Sequence, residues 1–527
     1  MGVFADSAQQ PRWIVEALAK VASSDFAEIV VVCVENRGQT TVSHGAERVF
    51  RDSENRGLSP VFSLYALLDR KLFGGSNWTE PCNVERLVPA SRRQSLETLR
   101  SEDGSRNLDV AFAVGAIDDA ALEGLAKCGT WRYCFGDGHG TCEPLAGIRE
   151  VIDAAPVTSS GIRIHLGAGL PDRVAAQSWS RTLPFSVARS RDNLFAKTTE
   201  FLPRALRDLH STGLAWLERE TVPARPREEQ PPVGTVADAS RVSARVARRA
   251  AEKILTVEQW SLAFRFADIE SWSGSLEGFF RLEPPKDRFW ADPFPVQRGD
   301  KSYIFFEELP FATGKAYISM AEVDRQGRAS EPTRVLERDY HLSYPFLVEE
   351  GGQLYMVPET AQNGTVEIYR CADFPSKWRR ERVLLDGLFA VDATLHRADS
   401  RWWMFANVTA NGAEVHDELH LFSAETLLGE WKPHRRNPVK SDVRSARPAG
   451  RLFTQGGRLY RPSQICAPLY GTGVSLNRVT RLDDDGFTEE EERRIVPPQG
   501  SGVLGLHTIN RAVDLSVIDV FARRSRF

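Results

Sequence analysis

The second half of the chain repeats itself, and the period of that repeat limits the fold more than any other feature of the sequence. Tyr303, Tyr355, Trp403 and Tyr460 each follow a turn: Gly299-Asp300-Lys301, Glu350-Gly351-Gly352, Ala398-Asp399-Ser400 and Gln455-Gly456-Gly457. The aromatics lie 52, 48 and 57 residues apart, a period that fits four-stranded propeller blades and not a helical solenoid. From Trp260 onward, short aromatic and β-branched runs with little helical periodicity read as all-β. A fifth unit is predicted from His507-Thr508 to Val517-Ile518-Asp519. The apolar pattern Trp260 to Phe266 is expected to supply a strand that closes the ring, since closure removes exposed edges.

Eleven residues before the four aromatics stand Asp292, Tyr344, Asp392 and Ala449; four residues after them stand Glu307, Glu359, Asn407 and Gln464. The first strands of propeller blades converge on a central channel, so this spacing aims Asp292, Tyr344 and Asp392 at one ligand, with His507 and Arg447 beside them. Two carboxylates facing one cavity are the minimum for glycoside chemistry, where one group protonates the leaving oxygen and the other activates water or attacks. An arginine with an Asp pair equally suits a phosphate or carboxylate carried on a sugar. The plain structural alternative is that Asp292-Pro293 and Asp392-Ala393-Thr394 cap turns.

An ordered set of motifs extends this reading. Trp290-Ala291-Asp292-Pro293-Phe294, His341-Leu342-Ser343-Tyr344-Pro345, Pro358-Glu359-Thr360, Val391-Asp392-Ala393-Thr394, Arg447-Pro448-Ala449-Gly450 and Arg461-Pro462-Ser463-Gln464 resemble the five-bladed propeller at the N-terminus of plant glucosamine inositolphosphorylceramide transferases. That propeller is similar in turn to the arabinanase, levansucrase and invertase fold, and so is glycoside hydrolase 43-like. The resemblance covers about Trp260 to Phe527. It implies Asp292 as base or nucleophile and Asp392 as the orienting partner that tunes its pKa. The acid of such glycosidases is a glutamate on a later blade; here the fourth blade reads Arg447-Pro448-Ala449, which leaves Glu359 and Glu307 as substitutes. Tyr344, His341, Arg447, Gln464 and His507 are expected to bind substrate. In the plant enzymes the sugar-transferring domain is a separate C-terminal one, so transferase activity does not carry over automatically.

Ahead of the propeller, strand-like and helical segments alternate: Ile29 to Val34, Leu108 to Val114, and the helical spacings Trp13 to Val21 and Asp118 to Leu122. That order predicts a doubly wound sheet with ligands at the carboxyl ends of its strands. Met1 to Ser7, Leu108 to Gly115, Gly129 to Asp137, Gly161 to Leu166 and Leu170-Pro171-Asp172 resemble, in order, the formyltransferase fold that uses 10-formyltetrahydrofolate. The resemblance implies an Asn-x-His pair followed by an Asp. One alignment puts Arg132 and Cys134 at the pair and Asp172 at the Asp; a shifted one puts Asp137-Gly138-His139 on the motif. Either way the triad is incomplete, which implies a scaffold or binding unit that has lost formyl transfer. Between the halves, Glu220 to Pro232 is Pro-rich and charged, the texture of a solvated linker, and Ser240 to Ala251 reads as a connecting helix.

The balance of 67 basic against 71 acidic side chains, without a long block of one sign, argues against nucleic-acid binding. Ile29 to Val34 falls far short of the ~20 residues that span a bilayer. The first residues lack a basic n-region and an apolar h-region, so a cytoplasmic protein is expected. Seven scattered cysteines do not read as a disulfide scaffold. Cys128, Cys134, His139 and Cys142 match no common zinc spacing, and Asp483-Asp484-Asp485 reads as a solvated loop rather than a metal motif. No cofactor and no metal are expected. The expected organisation is a formyltransferase-like (Rossmann-type) α/β domain over 1–217, linker and helix over 218–258, and an all-β five-bladed β-propeller over 259–527. The expected function is a carbohydrate-active enzyme, glycosidase or glycosyl-transferring, in polysaccharide or glycolipid metabolism. The alternatives are a non-catalytic glycan or sugar-nucleotide binding protein and a sugar N-formyltransferase.

Overall fold

The computed structural model describes residues 1–35, 58–74, 77–101, 108–136, 146–219, 221–224, 233–267, 272, 274–409 and 411–526. The chain divides into two units, Met1–Arg248 with Ala410–Ala413, and Arg249–Thr409 with Glu414–Phe527.

The first unit is built on an eight-stranded sheet. Arg93–Gln94, Val31–Val34, Gly2–Ala5, Ala111–Val114 and Thr130–Phe135 run parallel in that order; Val157–His165, Arg173–Arg181 and Val222–Pro223 continue the sheet antiparallel. The sheet expected to be doubly wound is a mixed one. Val157–His165 and Arg173–Arg181 are joined by the short connection from Leu166 to Asp172, where Gly167 and Gly169 take positive φ. So tight a link joins antiparallel neighbours, because a parallel return needs a crossover of a dozen or more residues. Helix Arg12–Ala22 buries Trp13, Ile14, Ala17, Leu18 and Val21 on one stripe, and Trp13 stacks on Phe195 of helix Val187–Thr198 at 5.1 Å. The helix expected after the Pro-rich stretch spans Val236–Leu255. A reciprocal pair opens it: Thr235 Oγ1 accepts from Asp238 N at 3.2 Å, and Asp238 Oδ2 accepts from Thr235 N at 2.8 Å.

Among the described residues the second unit contains five sheets with a four-stranded path each, a five-bladed propeller. Blade 1 is Arg288–Arg298, Lys301–Pro310, Tyr317–Val323 and Thr333–Leu336; blade 2 is Ser343–Glu350, Gln353–Thr360, Thr365–Asp373 and Lys377–Asp386. Blade 3 is Ala390–Ala398, Arg401–Val408, Glu418–Ala424 and Lys432–Pro433; blade 4 is Phe453–Gln455, Arg458–Ile465, Gly473–Asp483 and Gly486–Ile495. Blade 5 takes its inner strands Ile509–Ala512 and Leu515–Ser525 from the end of the chain and its outer strands Thr256–Phe266 and Phe280–Leu282 from before blade 1. The expected closing strand pairs without a break, from Thr256 opposite Ser525 to Phe266 opposite Leu515.

The repeat in the sequence is a repeat of register. Tyr303 pairs with Val296, Tyr355 with Val348, Trp403 with His396 and Tyr460 with Phe453. Blades 2 and 3 bury Trp378 and Trp431, whose indole N–H groups donate to the Pro375 and Leu427 carbonyls.

Candidate active site at the propeller axis

Three blades break their first hairpin at the same place. The ladder skips from Ala291 to Phe294, from Ser343 to Phe346 and from Val391 to Thr394. The residues that open these bulges are Asp292, Tyr344 and Asp392, with φ of 51°, 44° and 53°. A bulge with a left-handed first residue bends the strand and re-aims a side chain. Aspartate tolerates that conformation; tyrosine does so at a cost of about 1–3 kcal/mol, which the surroundings must offset. Glu307, Glu359 and Asn407 pair directly across from Ala291, Ser343 and Val391, the residues ahead of each bulge. The spacing read from the sequence is thus a hairpin geometry that gathers polar ends.

The bulges meet across blades. Asp292 Oδ1 accepts from Thr508 Oγ1 at 2.6 Å, and its Oδ2 lies 3.3 Å from the Tyr344 N–H. Tyr344 Oη takes the Gly450 N–H at 2.8 Å and sits 2.7 Å from Thr394 Oγ1. Asp392 Oδ2 accepts from Arg447 Nε at 2.5 Å and from Gln464 Nε2 at 2.8 Å, and the Asp392 N–H reaches Glu359 Oε2 at 3.3 Å. Arg447 also lies 3.9 Å from Glu359 Oε2 and 3.0 Å from His416 Nδ1. His341 holds Glu307 at 3.2 Å, one step outward. The nine residues given a catalytic or binding part at the axis from the sequence, Glu307 and His507 included, lie in or beside this network.

The network distorts the acidities of its members. Burial pushes the Asp292 carboxyl up to about 7; the His507 cation opposes this, while Asp392 and Glu307 add to it. Burial and the charge of Asp392 raise Glu359 well above the carboxylate range, against the pull of Arg447. His507 is buried, which disfavours its charge, yet Asp519 at 2.8 Å and Asp292 at 3.3 Å bring it up to about 9. Asp519 is fully buried and accepts main-chain N–H groups from His507, Thr508 and Asp292 at 2.9, 3.0 and 3.1 Å. Burial lowers His341, but its pair with Glu307 leaves it raised.

Asp292, His507 and Asp519 bring ligand atoms within 4.8 Å of one another and form the group of acidic and imidazole side chains best placed to hold a cation among the described residues. With His507 protonated, both ring nitrogens carry hydrogens and the triad closes on itself as an ion-pair chain. Of the cysteine set considered for zinc, Cys128 and Cys134 are buried, while His139 and Cys142 lie outside the described residues. Each carboxylate of the 483–485 loop pairs with an arginine: Asp483 with Arg481, Asp484 with Arg401 and Asp485 with Arg435.

Sequence reasoning missed Tyr470 and His416, which complete the rim. Arg447 packs over the Tyr470 ring at 5.0 Å, and His416, His507 and Trp260 pack within 5.2, 5.1 and 6.1 Å of the same ring. Both Tyr470 and His416 stand on loops outside the aromatic frame, where no periodic signal marks them.

Residues 283–500 match the family described as "Glucosamine inositolphosphorylceramide transferase 1, N-terminal". The chain is similar to the glucosamine inositolphosphorylceramide transferase 1 of Oryza sativa subsp. japonica, with 36% identity over 205 residues, 38% of this chain and 27% of that protein. The Arabidopsis thaliana protein of the same name is 34% identical over 206 residues, again 38% of this chain and 27% of its own length. The chain therefore spans about a quarter of the curated relatives it matches. Among solved structures, the family 117 glycoside hydrolase Zg3597 of Zobellia galactanivorans aligns over 50% of this chain and 90% of its own at 12% identity and a TM-score of 0.34. The catalytic domain of the Coprinopsis cinerea GH62 α-L-arabinofuranosidase aligns over 50% and 96% at 12% identity and a TM-score of 0.35.

Proposed function

We propose that the propeller acts on a glycan or sugar nucleotide at its axis, as a glycosidase or a glycosyl-transferring module. Asp292 serves as base or nucleophile, Glu359 as the acid, and Asp392, held by Arg447 and Gln464, keeps both in place. The observation that carries this reading is the pair of buried carboxyl groups on neighbouring blades, Asp292 beside Thr508 and the Tyr344 N–H and Glu359 beside the Asp392 N–H and Arg447; burial weakens both as acids, Asp292 to a pKa of about 7 and Glu359 well above its ordinary range. A base works best when its pKa lies near the working pH, and an acid must keep its proton until the leaving oxygen needs it. Glu359 stands on blade 2, in place of the missing glutamate of blade 4. The name of the relatives, a glucosamine inositolphosphorylceramide transferase, supports a glycan or glycolipid substrate.

The second reading is a sugar-binding module without turnover. It is favoured by the saturation of the aspartates: Asp292 and Asp392 are 4% and 1% exposed, and each carboxylate already accepts two or more hydrogen bonds or near contacts from the protein. In that reading Tyr344, His341, Arg447, Gln464 and His507 frame the ligand. Arg447 is neutralised by Asp392, so a neutral or amino sugar fits better than the anionic sugar first expected.

For the α/β unit we propose a scaffold role without formyl transfer. Burial pushes the Cys134 thiol up to about 12, and Arg132 is tied to Asp119, so neither can polarise a formyl group or shuttle protons. In the shifted alignment Asp137 and His139 lie outside the described residues.

A screen of glycans and sugar nucleotides against the purified full chain tests the proposal. Turnover whose rate rises with pH through about 7, as Asp292 ionises, and which Glu359→Gln abolishes supports it. Binding without turnover of any substrate favours the second reading. Formylation of an amino sugar from the folate donor overturns the scaffold role.

A further inference from the structure

We propose that the Tyr470 hydroxyl is the hydrogen-bond donor that the axial site presents to its ligand, and that the group it takes is a sugar hydroxyl lying between it and the carboxylates of Asp292 and Asp392. The inference rests on the axial sugar site proposed above. Tyr470 is half-buried on the loop between strands Arg458–Ile465 and Gly473–Asp483 of blade 4. Its ring lies 5.0 Å from the Arg447 guanidinium carbon and 5.1 Å from the His507 ring. Arg447 holds Asp392 at 2.5 Å and His507 holds Asp292 at 3.3 Å, so the ring stands on the two groups that grip the two carboxylates. The loop is fixed by Thr472, whose N–H donates to the Ile465 carbonyl at 3.0 Å and whose hydroxyl donates to the Leu469 carbonyl at 2.8 Å. Gly471, at φ 71°, leaves room for the Trp260 ring where a Cβ would collide with it.

Most donors around Tyr470 are committed to the protein. Gln464 Nε2 donates to Asp392 and to the Pro448 carbonyl, both at 2.8 Å, and the Thr508 hydroxyl donates to Asp292 at 2.6 Å. The two ring nitrogens of His507 face Asp519 and Asp292. Tyr344, the other tyrosine at the axis, has its hydroxyl between the Gly450 N–H and Thr394. The Tyr470 hydroxyl has no hydrogen-bond partner among the described residues, and such a group beside buried charges marks a place where a partner is missing. Burial, with the charges of Asp292 and Asp392, raises the phenol well above its ordinary range against the pull of Arg447, so it keeps its proton and donates. A ligand oxygen that accepts this proton has carboxylates on its other side. A phosphate or carboxylate there would be repelled, and a sugar ring oxygen can only accept. A hydroxyl accepts from Tyr470 and passes its own hydrogen to a carboxylate. A contact of this kind is selective, because an analogue lacking the hydroxyl leaves the groups of the site unpaired.

The test is binding of the full chain, unaltered and as Tyr470→Phe, to the methyl glycosides of glucose, galactose, mannose, xylose, arabinose and N-acetylglucosamine, read by saturation-transfer difference NMR and calorimetry. The monodeoxy forms of the sugar bound most tightly follow. Tyr470→Phe removes the hydroxyl and keeps the ring that packs on Arg447 and His507, so the melting temperature is expected to hold. Affinity for that sugar should fall about fivefold, the worth of one hydrogen bond. One monodeoxy form should bind the unaltered chain at least about fivefold more weakly than the sugar itself, and should bind both proteins equally, because the contact is already lost. The other deoxy forms should still tell the two proteins apart. Equal binding of the sugar by both proteins, or a loss in Tyr470→Phe that every deoxy form shares, overturns the inference and leaves the axial sugar site standing. If the unaltered chain binds none of the sugars, the axial sugar site falls, and this role of Tyr470 with it.

Discussion

At the scale of single residues, His507 and Asp292 link the site to pH. The folded protein holds the His507 proton up to about 9 against an ordinary 6.5, so this histidine contributes stability fully below 6.5 and loses it as pH rises through 9. Asp292 acts in the same direction over a lower window: its folded value of about 7 lies above the ordinary 3.8, so raising the pH through that span ionises a carboxyl that burial disfavours. The melting temperature should therefore fall between about pH 6.5 and 9, and His507→Gln should flatten that fall; a thermal melt series across the range checks it. Counting from the aromatics located Asp292, Tyr344, Asp392, Glu359 and Gln464 because hairpin register is periodic. The role of Asp519 was not legible. Its three main-chain N–H partners come from blades 1 and 5, and no local pattern announces a carboxylate that organises backbone.

At the scale of elements, the bulges do the positioning, and they depend on their neighbours. Blade 4 carries Gly450 at φ 128°, against the Ile509 carbonyl of blade 5, and its N–H holds the Tyr344 hydroxyl. A Cβ at this position would stand 2.1 Å from the Ile509 oxygen. Gly450→Ala should therefore destabilise the propeller by about 2–4 kcal/mol, through strain and through the displaced Tyr344 contact. Urea unfolding reads this, and a loss below 0.5 kcal/mol, about the size of an ordinary surface substitution, would contradict it. In the first unit, helix Arg12–Ala22 and strands Val31–Val34 and Ala111–Val114 were visible as periodic runs. The antiparallel half of the sheet was not, because strand direction leaves no mark in the alternation of residues: Val157–His165 returns antiparallel to Thr130–Phe135 across a link long enough for a parallel crossover.

At the scale of the whole molecule, the ring is closed by strands from both ends of the propeller segment, and Asp519 ties blade 5 to the Asp292 N–H of blade 1. A chain that begins at residue 256 keeps the closing strand, and one that begins at residue 267 loses it. The first should unfold in one cooperative transition, whereas the second should expose the edge of Leu515–Ser525 and aggregate or lose cooperativity, as circular dichroism and light scattering would report. Closure was legible from the apolar run Trp260 to Phe266 because an open ring leaves an unpaired edge. The rim of Tyr470 and His416 was not legible, because it exists only once loops of blades 3 and 4 are brought together by the ring. The central claim is that this ring turns a shared pair of carboxyl groups toward sugar chemistry. The most direct measurement compares turnover and sugar binding of the full chain with those of Asp292→Asn. A loss of turnover of about a hundredfold or more, with binding retained, is the predicted result; unchanged turnover, or binding alone in both proteins, would contradict the account.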